Sequence, residues 1–575
     1  MFSNPVRPSV SGAIRTCRSA FVGIFIVSAV LNVLMLTGPI FMLQVYDRVL
    51  ASGSVPTLLV LSAITIGLYG LSGILDILRS KALLRVSMRV YTSLTNPVLR
   101  ANIRLPVMLG GKSAGLHPNR DLDTIRRFLG SPGPSSIFDL PFMPFYFLLI
   151  FVMHSALGFL ALAGGAVIFL LVVFNEYSSR TTTKEVGQTT AAQSKVMETA
   201  RRNAEVVGAM GMTGRLSQRY GELVTPYFYA QQQATDRSNF YSSTIKLLRM
   251  MLQSAMLGLG AYLAIRQEIS GGVMIASSII MARALSPIEQ AVSHWPSFVA
   301  SRQAMGRLNQ VLLQCDVDRG LQGLPLPKGD LSIEEMATSA PAEPVVLLQD
   351  VALTLKAGDG LGVIGGSGSG KTSFARALVG VWPVLKGAIR LDGSTIDQWT
   401  EDERGRFIGY LPQDVELFDG TVADNIARFD KDADVVSIVA AAKLAGVHNL
   451  VAGLPDGYNT MIGDGGARLS AGQRQRIGLA RALYGNPFLI VLDEPNSNLD
   501  VEGEQALSRA ILEVRQRGGI VVVVAHRSSA LLSVNKLLII QGGRQVAFGD
   551  KDQLLTNVSI LNGSMQSGKA LANAV

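Results

Sequence analysis

The chain has 575 residues, 48% of them apolar and only 17% charged, with a mean hydropathy of +0.32. That length exceeds one ordinary domain, and the apolar content excludes disorder and collagen-like structure. The net charge is +9, and only two cysteines, Cys17 and Cys315, are present. A disulfide scaffold and a zinc ribbon are therefore excluded, and both cysteines are expected to be plain small side chains. Charge is unevenly spread. Residues 1–330 hold 30 Lys+Arg and 16 Asp+Glu, whereas residues 331–575 hold 22 and 27. The long uncharged runs also fall in the first half. A membrane half followed by a soluble half is expected, its basic excess flanking membrane helices rather than binding nucleic acid.

A helix needs roughly 20 apolar residues to cross a bilayer. Ala20–Tyr46 and Val55–Leu75 carry no charge over their whole length, and Leu140–Asn175 is long enough for two helices turning near His154-Ser155. Met250–Ile265 and Gly271–Ala282 are shorter and flank the polar turn Arg266–Ser270. Six spans in three hairpins follow, at about 20–46, 55–75, 136–153, 156–175, 247–265 and 270–288. Ala20–Tyr46 is too long for a signal peptide and is followed by Asp47-Arg48, so it reads as a retained helix. Residues 1–19 leave no room for a further N-terminal domain, and Ser11–Arg18 reads as a short surface helix. The segment 76–135 has ten Lys+Arg against three acids, and 175–246 has nine against six. The short turns have almost none, which places both long loops and both termini in the cytoplasm.

Ile77–Thr92 and Glu185–Val207 are rich in helix formers, so the spans should continue as helices into the cytoplasm. Their tips carry the turn residues Gly110–Ser113 and Gly211–Gly214. Arg283 lies about 13 residues past Ser270, roughly 20 Å along a helix. Either it lines a transport cavity or its span starts later and it reaches the inner interface. Arg249 and Asp139 sit at span edges, where reaching the interface is expected.

The Gly- and Pro-rich stretch 316–330 reads as a linker closing a transmembrane domain of residues 1–315. Beyond it, Gly360–Ile364, Gly387–Leu391, Leu489–Leu492, Ile520–Val524 and Lys536–Ile540 alternate with helical segments. An α/β domain with parallel strands is expected over 331–560, with a frayed tail at 561–575. Gly365-Gly366-Ser367-Gly368-Ser369-Gly370-Lys371-Thr372 fits a phosphate loop without mismatch, between a strand and a helix that begins near Ser373. Its backbone N–H groups would cradle phosphates, with Lys371 on the β/γ-phosphates and Thr372 on Mg²⁺. Leu489–Leu492 runs into Asp493 and Glu494. Acids at a strand end beside such a loop suit a metal's water shell (Asp493) and a general base (Glu494).

Leu469-Ser470-Ala471-Gly472-Gln473-Arg474-Gln475-Arg476 resembles the signature sequence of ABC-transporter ATPases. Gln413 in Tyr410-Leu411-Pro412-Gln413, Ser497-Asn498-Leu499-Asp500 and His526 after its strand agree, and the resemblance covers 331–560. The chain thus looks like a half-transporter, a six-helix exporter-type membrane domain followed by a P-loop ATPase domain. The resemblance implies a homodimer with two inter-subunit ATP sites. Ser470, Gly472 and Gln473 would face the γ-phosphate across the dimer. Gln413, also near the metal, and His526 would sense it from the same chain, and Asp500 would cross the interface. Gly110–Leu116 and Gly211–Leu216 would lie near coupling helices, and Ile462–Gly466 resembles an exporter-type coupling segment. Two departures stand out. Ala471 replaces a glycine of the signature, and no aromatic residue lies between Phe298 and Phe374 to stack on adenine, which implies loose base selectivity.

Gly38–Val49 (GPIFMLQVYDRV), Asp139–Phe145 (DLPFMPF), Ile408–Gly420 (IGYLPQDVELFDG) and Asp493–Asp500 (DEPNSNLD) are similar to type I protein-secretion exporters of the PrtD type. That likeness implies a translocase of the bacterial inner membrane, fuelled by ATP and Mg²⁺. It would work with a periplasmic membrane-fusion adaptor and an outer-membrane channel on an unfolded protein with a C-terminal signal. A lipid or small-molecule exporter would share the architecture. A regulatory subunit without transport would be expected to have lost part of Lys371, Gln413, Glu494 and His526, all of which are present.

Overall fold

The computed structural model describes residues 9–110, 115–315, 324–463, 466, 468–525 and 528–554. The chain divides into a helical unit, up to about residue 316, and a sheet-containing unit beyond it.

Among the described residues, six helices are long and apolar enough to cross a membrane: Arg18–Ser52, Val55–Leu109, Gly133–Met153, Ser155–Ser178, Thr213–Ile265 and Gly271–Ser293. Length decides where they end. Val55–Leu109 has 55 residues, roughly 80 Å at 1.5 Å per residue, over twice a hydrocarbon core. Ser155–Arg202 and Thr213–Ile265 also overrun it. The surplus carries the basic residues of the long loops, as the composition requires. Asn203 interrupts the second of these helices before Ala204–Ala209, and Gly211 takes φ +61°, a turn conformation open to glycine. Leu59 and Ile66 point outward, 66% and 71% exposed, as lipid-facing residues must.

Polar side chains tie these helices together. Arg79 Nη1 donates to both oxygens of Asp139 at 2.9 and 3.0 Å, and Nη2 donates to Asp76. Asn32 Nδ2 donates to Asp139 at 2.9 Å, and the buried Tyr146 hydroxyl donates to Asn32. Arg249 pairs with Glu289 at 2.9 Å. Asp139 and Arg249 therefore hold partners on neighbouring helices, and a charge in an apolar medium is tolerated when paired. Arg283 lines a polar cavity of about 410 Å³ with Asn32, Arg79, Asp139, Tyr146 and Gln290.

At the opposite ends of the spans, Val45–Val49 forms a π-helical turn carrying Asp47. Asp47 accepts from Ser270 Oγ at 2.5 Å and Gly272 N at 2.8 Å, closing the start of Gly271–Ser293. His154 lies 3.3 Å from Glu268. All three hairpin turns are thus cross-linked by polar contacts.

The second unit is built on a ten-stranded sheet: β1 (Asp330–Ser339), β2 (Val346–Lys356), β3 (Gly360–Ile364), β4 (Val384–Leu391), β5 (Ser394–Thr395), β6 (Ile408–Leu411), β7 (Leu489–Asp493), β8 (Ile520–Val524), β9 (Lys536–Gln541) and β10 (Arg544–Asp550). Their order is β5-β4-β1-β2-β10-β9-β3-β8-β7-β6. The run β9-β3-β8-β7-β6 is parallel. Its strands are apolar on both faces; β7 and β8 are buried at every position, as expected of strands covered on both sides. The antiparallel strands β1, β2, β4 and β5 extend it, a feature the expectation of parallel strands missed. β1 begins inside the expected linker. Asp392 accepts from the N–H groups of Lys328, Gly329 and Asp330, pinning the last part of that Gly- and Pro-rich stretch. Cys17 and Cys315 are both free and buried.

Candidate active site

Parallel register places the reactive residues. Leu411 pairs with Leu492, and Asp493 with Val524, while β3 pairs with β8 up to Val363 and Val524. The C-terminal ends of β3, β6, β7 and β8 therefore share one edge, where α/β sheets bind ligands. The phosphate loop leaves β3, and the helix Lys371–Leu378 starts two residues earlier than its sequence suggested. Gly368 and Gly370 take φ +72° and +102°. A Cβ on Gly365 would lie 2.2 Å from Ile540 O, so the loop can bend there only as glycine.

Lys371 is 5% exposed, and its Nζ donates to the carbonyls of Gly365 and Gly366, both at 2.9 Å. Burial pushes its ammonium below the usual value, opposed by Glu494 and Asp493. Thr372 Oγ1 lies 3.4 Å from Asp493 Oδ1. Asp493 is 1% exposed and its Oδ2 has no hydrogen-bond partner among the described residues. Burial pushes this carboxyl up. A buried carboxylate oxygen left unpaired beside a hydroxyl fits a hard divalent cation. Two protein oxygens, from Thr372 and Asp493, would suit Mg²⁺, which takes one or two of them and completes its shell with water and phosphate.

Glu494 takes φ +50°, an uncommon conformation for a residue with a Cβ, and its N–H donates to Val524 O at 3.0 Å. Gln413 Nε2 donates to Glu494 Oε2 at 3.2 Å, so the loop after β6 and the end of β7 meet. Lys371, Thr372, Asp493, Glu494 and Gln413 are thus gathered at one edge. Ser369 Oγ is buried without a partner among the described residues. His526 and the pair Asp464-Gly465 lie outside the described residues.

The signature forms the start of the helix Ala471–Leu483. Ser470 caps it, accepting from Gln473 N at 3.2 Å, while Gln473 Oε1 accepts from Ser470 N at 2.9 Å. A Cβ on Gly472 would come 2.8 Å from Asn498 O, whereas Ala471 is exposed. The departure from the family pattern thus falls where a methyl has room. Among the described residues neither Ser470 nor Gly472 hydrogen-bonds to the phosphate loop of its own chain. Asp500 caps Val501–Gln516 and pairs with Arg476 of the same chain.

Gln475 escaped the sequence reading. It is 3% exposed; its Nε2 donates to the carbonyls of Glu494 and Pro495, and its Oε1 accepts from Asn498 N. It fastens the signature helix to the segment Glu494–Asn498. Its only signal was its place two residues after Gln473 in the signature motif.

Residues 21–287 match the ABC transporter transmembrane region, and residues 348–497 match the ABC transporter family. The type I secretion system ATP-binding protein PrsD of Rhizobium meliloti is 47% identical over 549 residues, 95% of this chain and 94% of that one. The chain belongs to the ABC exporters of type I secretion systems. The exotoxin translocation ATP-binding protein PaxB of Pasteurella aerogenes is 28% identical over 95% of this chain and 77% of its own length. A bacterial Atm1-family ABC exporter shares the fold, with a TM-score of 0.81 over 96% of this chain and 98% of that chain at 20% identity. This exporter is accordingly a helical transmembrane domain followed by an ATPase domain, with ATP hydrolysis coupled to transport.

Proposed function

We propose that this exporter drives a polypeptide across the bacterial inner membrane as a homodimer, hydrolysing ATP at two inter-subunit sites. The observation that carries this is the 47% identity, over nearly the whole length of both chains, to a type I secretion ATP-binding protein. A periplasmic adaptor and an outer-membrane channel would complete the path, and the cargo would carry its signal at the C-terminus. Lys/Arg placement supports cytoplasmic termini.

In this reading the phosphate loop Gly365–Ser373 and Lys371 hold the triphosphate of one site. Ser470, Gly472 and Gln473 of the opposite chain, at a helix N-terminus, stabilise its γ-phosphate. Thr372, Asp493 and Gln413 are the groups that would hold Mg²⁺, which when bound offsets charge on the phosphate oxygens. Glu494 takes the proton of the attacking water, a role its contact with Gln413 supports by orienting the carboxylate. His526 and Asp500 complete the site as sensor and cross-dimer contact. The buried, unpaired Asp493 oxygen supports the metal assignment.

Replacing Glu494→Gln in the host and comparing culture media by mass spectrometry tests the reading. Loss of one or a few secreted proteins sharing C-terminal features is expected. An unchanged set of secreted proteins, with the chain expressed, would point to a lipid or small-molecule cargo.

A further inference from the structure

Arg428 plays no part in the chemistry above, yet its surroundings are unusual. It follows the short helix Val422–Ile426, and both Arg428 and Phe429 take left-handed backbone conformations, φ +57° and +59°. Two consecutive side-chain-bearing residues rarely do so, and the cost persists only where the surroundings hold them. The turn sends the Arg428 guanidinium inward and leaves Phe429 against Phe418 at the surface.

Every contact of that guanidinium is a backbone carbonyl. Nε donates to Arg481 O at 2.9 Å; Nη2 donates to Ala482 O and Tyr484 O at 3.2 and 3.3 Å; Nη1 donates to Gly405 O at 2.5 Å and more weakly to Ile408 O at 3.4 Å. Among the described residues no carboxylate pairs with it. Burial, and then the neighbouring Arg481, lower its pKa to about 10, which still leaves it charged.

The five carbonyls belong to two elements. Arg481, Ala482 and Tyr484 end the signature helix, whose other end carries Ser470. Gly405 and Ile408 lie where the helix Glu401–Phe407 passes into β6, five residues before Gln413. A cation here offsets the negative ends of both helix dipoles. The backbones are also in close contact, since a Cβ on Gly409 would lie 2.1 Å from Ala482 O. A thirteen-residue helix is a rigid rod of roughly 20 Å, so what holds one end aims the other.

We infer that Arg428 is a positioning residue that locks the signature helix to the Gln413 strand. A shift of Gln413 in one ATP site then moves Ser470 in the other. The inference rests on the composite-site reading above. Only a planar fork of five donors can span both helix ends; a lysine ammonium cannot.

The test uses the full-length exporter in nanodiscs with Arg428→Lys and Arg428→Ala. MgATP affinity is measured in the Glu494→Gln background, and kcat and ATP cooperativity in the active background. The expected result is a kcat loss on the order of 10²-fold with loss of cooperativity, while the Kd for MgATP stays unchanged. Methylguanidinium should restore part of the activity of Arg428→Ala. Wild-type kcat and cooperativity in Arg428→Lys would overturn the inference. So would a parallel loss of affinity and kcat without rescue, which marks a purely structural role. Gln413→Ala and Ser470→Ala serve as controls. If both keep wild-type kcat, the composite-site reading fails and this inference with it. If both lose activity and Arg428→Lys does not, only the role of Arg428 fails.

Discussion

At the residue scale the candidate site keeps two charges dry, Lys371 and Asp493. Asp493 shows what that costs and why it is retained. Its carboxyl pKa is raised by burial, so the folded state binds a proton more tightly than the unfolded chain does. Above the folded pKa the buried carboxylate opposes folding, and below the unfolded pKa, about 3.9, that penalty vanishes. Asp493→Asn should therefore melt at a higher temperature than wild type without nucleotide, yet hydrolyse no ATP. Calorimetry and a phosphate-release assay on one preparation would show both, and a lower melting temperature would contradict the account. The same shift makes the metal requirement depend on pH. The Mg²⁺ concentration for half-maximal activity should rise as pH falls towards the raised pKa, because protonation removes the ligand; a flat profile would remove Asp493 from the metal site. Glu494→Gln should keep nucleotide binding and lose about 10²–10⁴-fold in hydrolysis, the usual worth of a proton-accepting group.

At the element scale two helices show how local chemistry sets geometry. The signature helix begins in a capping box and passes Gly472 close under Asn498 O. Gly472→Ala should sharply reduce ATPase activity because backbone must move, whereas Ala471→Gly should leave it near wild type. Equal losses in the two variants would show that the signature tolerates neither change, and the steric explanation would fail. In the membrane domain, Arg79 and Asp139 join helices that share no turn. Losing Arg79 strands the Asp139 carboxylate, whereas losing Asp139 leaves Arg79 paired with Asp76, so the cost should fall below the about 3–5 kcal/mol of a fully stranded buried charge. Asp139→Asn and Arg79→Gln should each lower the melting temperature in detergent, and the double variant should lie closer to wild type than either. Additive losses would mean the two residues act independently.

At the scale of the whole molecule the prediction concerns how two chains share chemistry. Lys371→Ala disables the phosphate side of a site, and Ser470→Arg disables the signature side. Each homodimer should be inactive if sites are composite. A heterodimer of the two variants would place both lesions in one site and leave the other intact. Co-purified heterodimers, isolated with two affinity tags, should recover measurable ATPase activity. No recovery would mean either that both sites must fire together or that each site is contained in one chain. A wild-type–Lys371→Ala heterodimer separates these, since it stays active only when one intact site suffices.

Much of this was legible in the amino-acid order, because chemistry with strict local demands leaves local marks. Runs of uncharged residues are written by the bilayer, and the phosphate loop by backbone that must approach phosphate. Gly365–Thr372, Asp493-Glu494 and Ser470–Gln473 are contiguous, so their spacing announced them. What tertiary structure alone decided are relations between distant segments. Asp139 and Arg249 looked like edge charges until helices far along the chain supplied Arg79 and Glu289. The antiparallel pairings of β1 with β2 and β4 are broken by bulges that blur their alternation, and only the end of β4 was read from the sequence. Arg428 carries no motif of its own, since its partners are backbone carbonyls, which every residue has and no sequence displays, and the bonds of Gln475 are mostly to backbone as well. Covalent order settles which groups are available, while the meeting of a guanidinium with five carbonyls of two helix ends exists only once the chain has closed on itself.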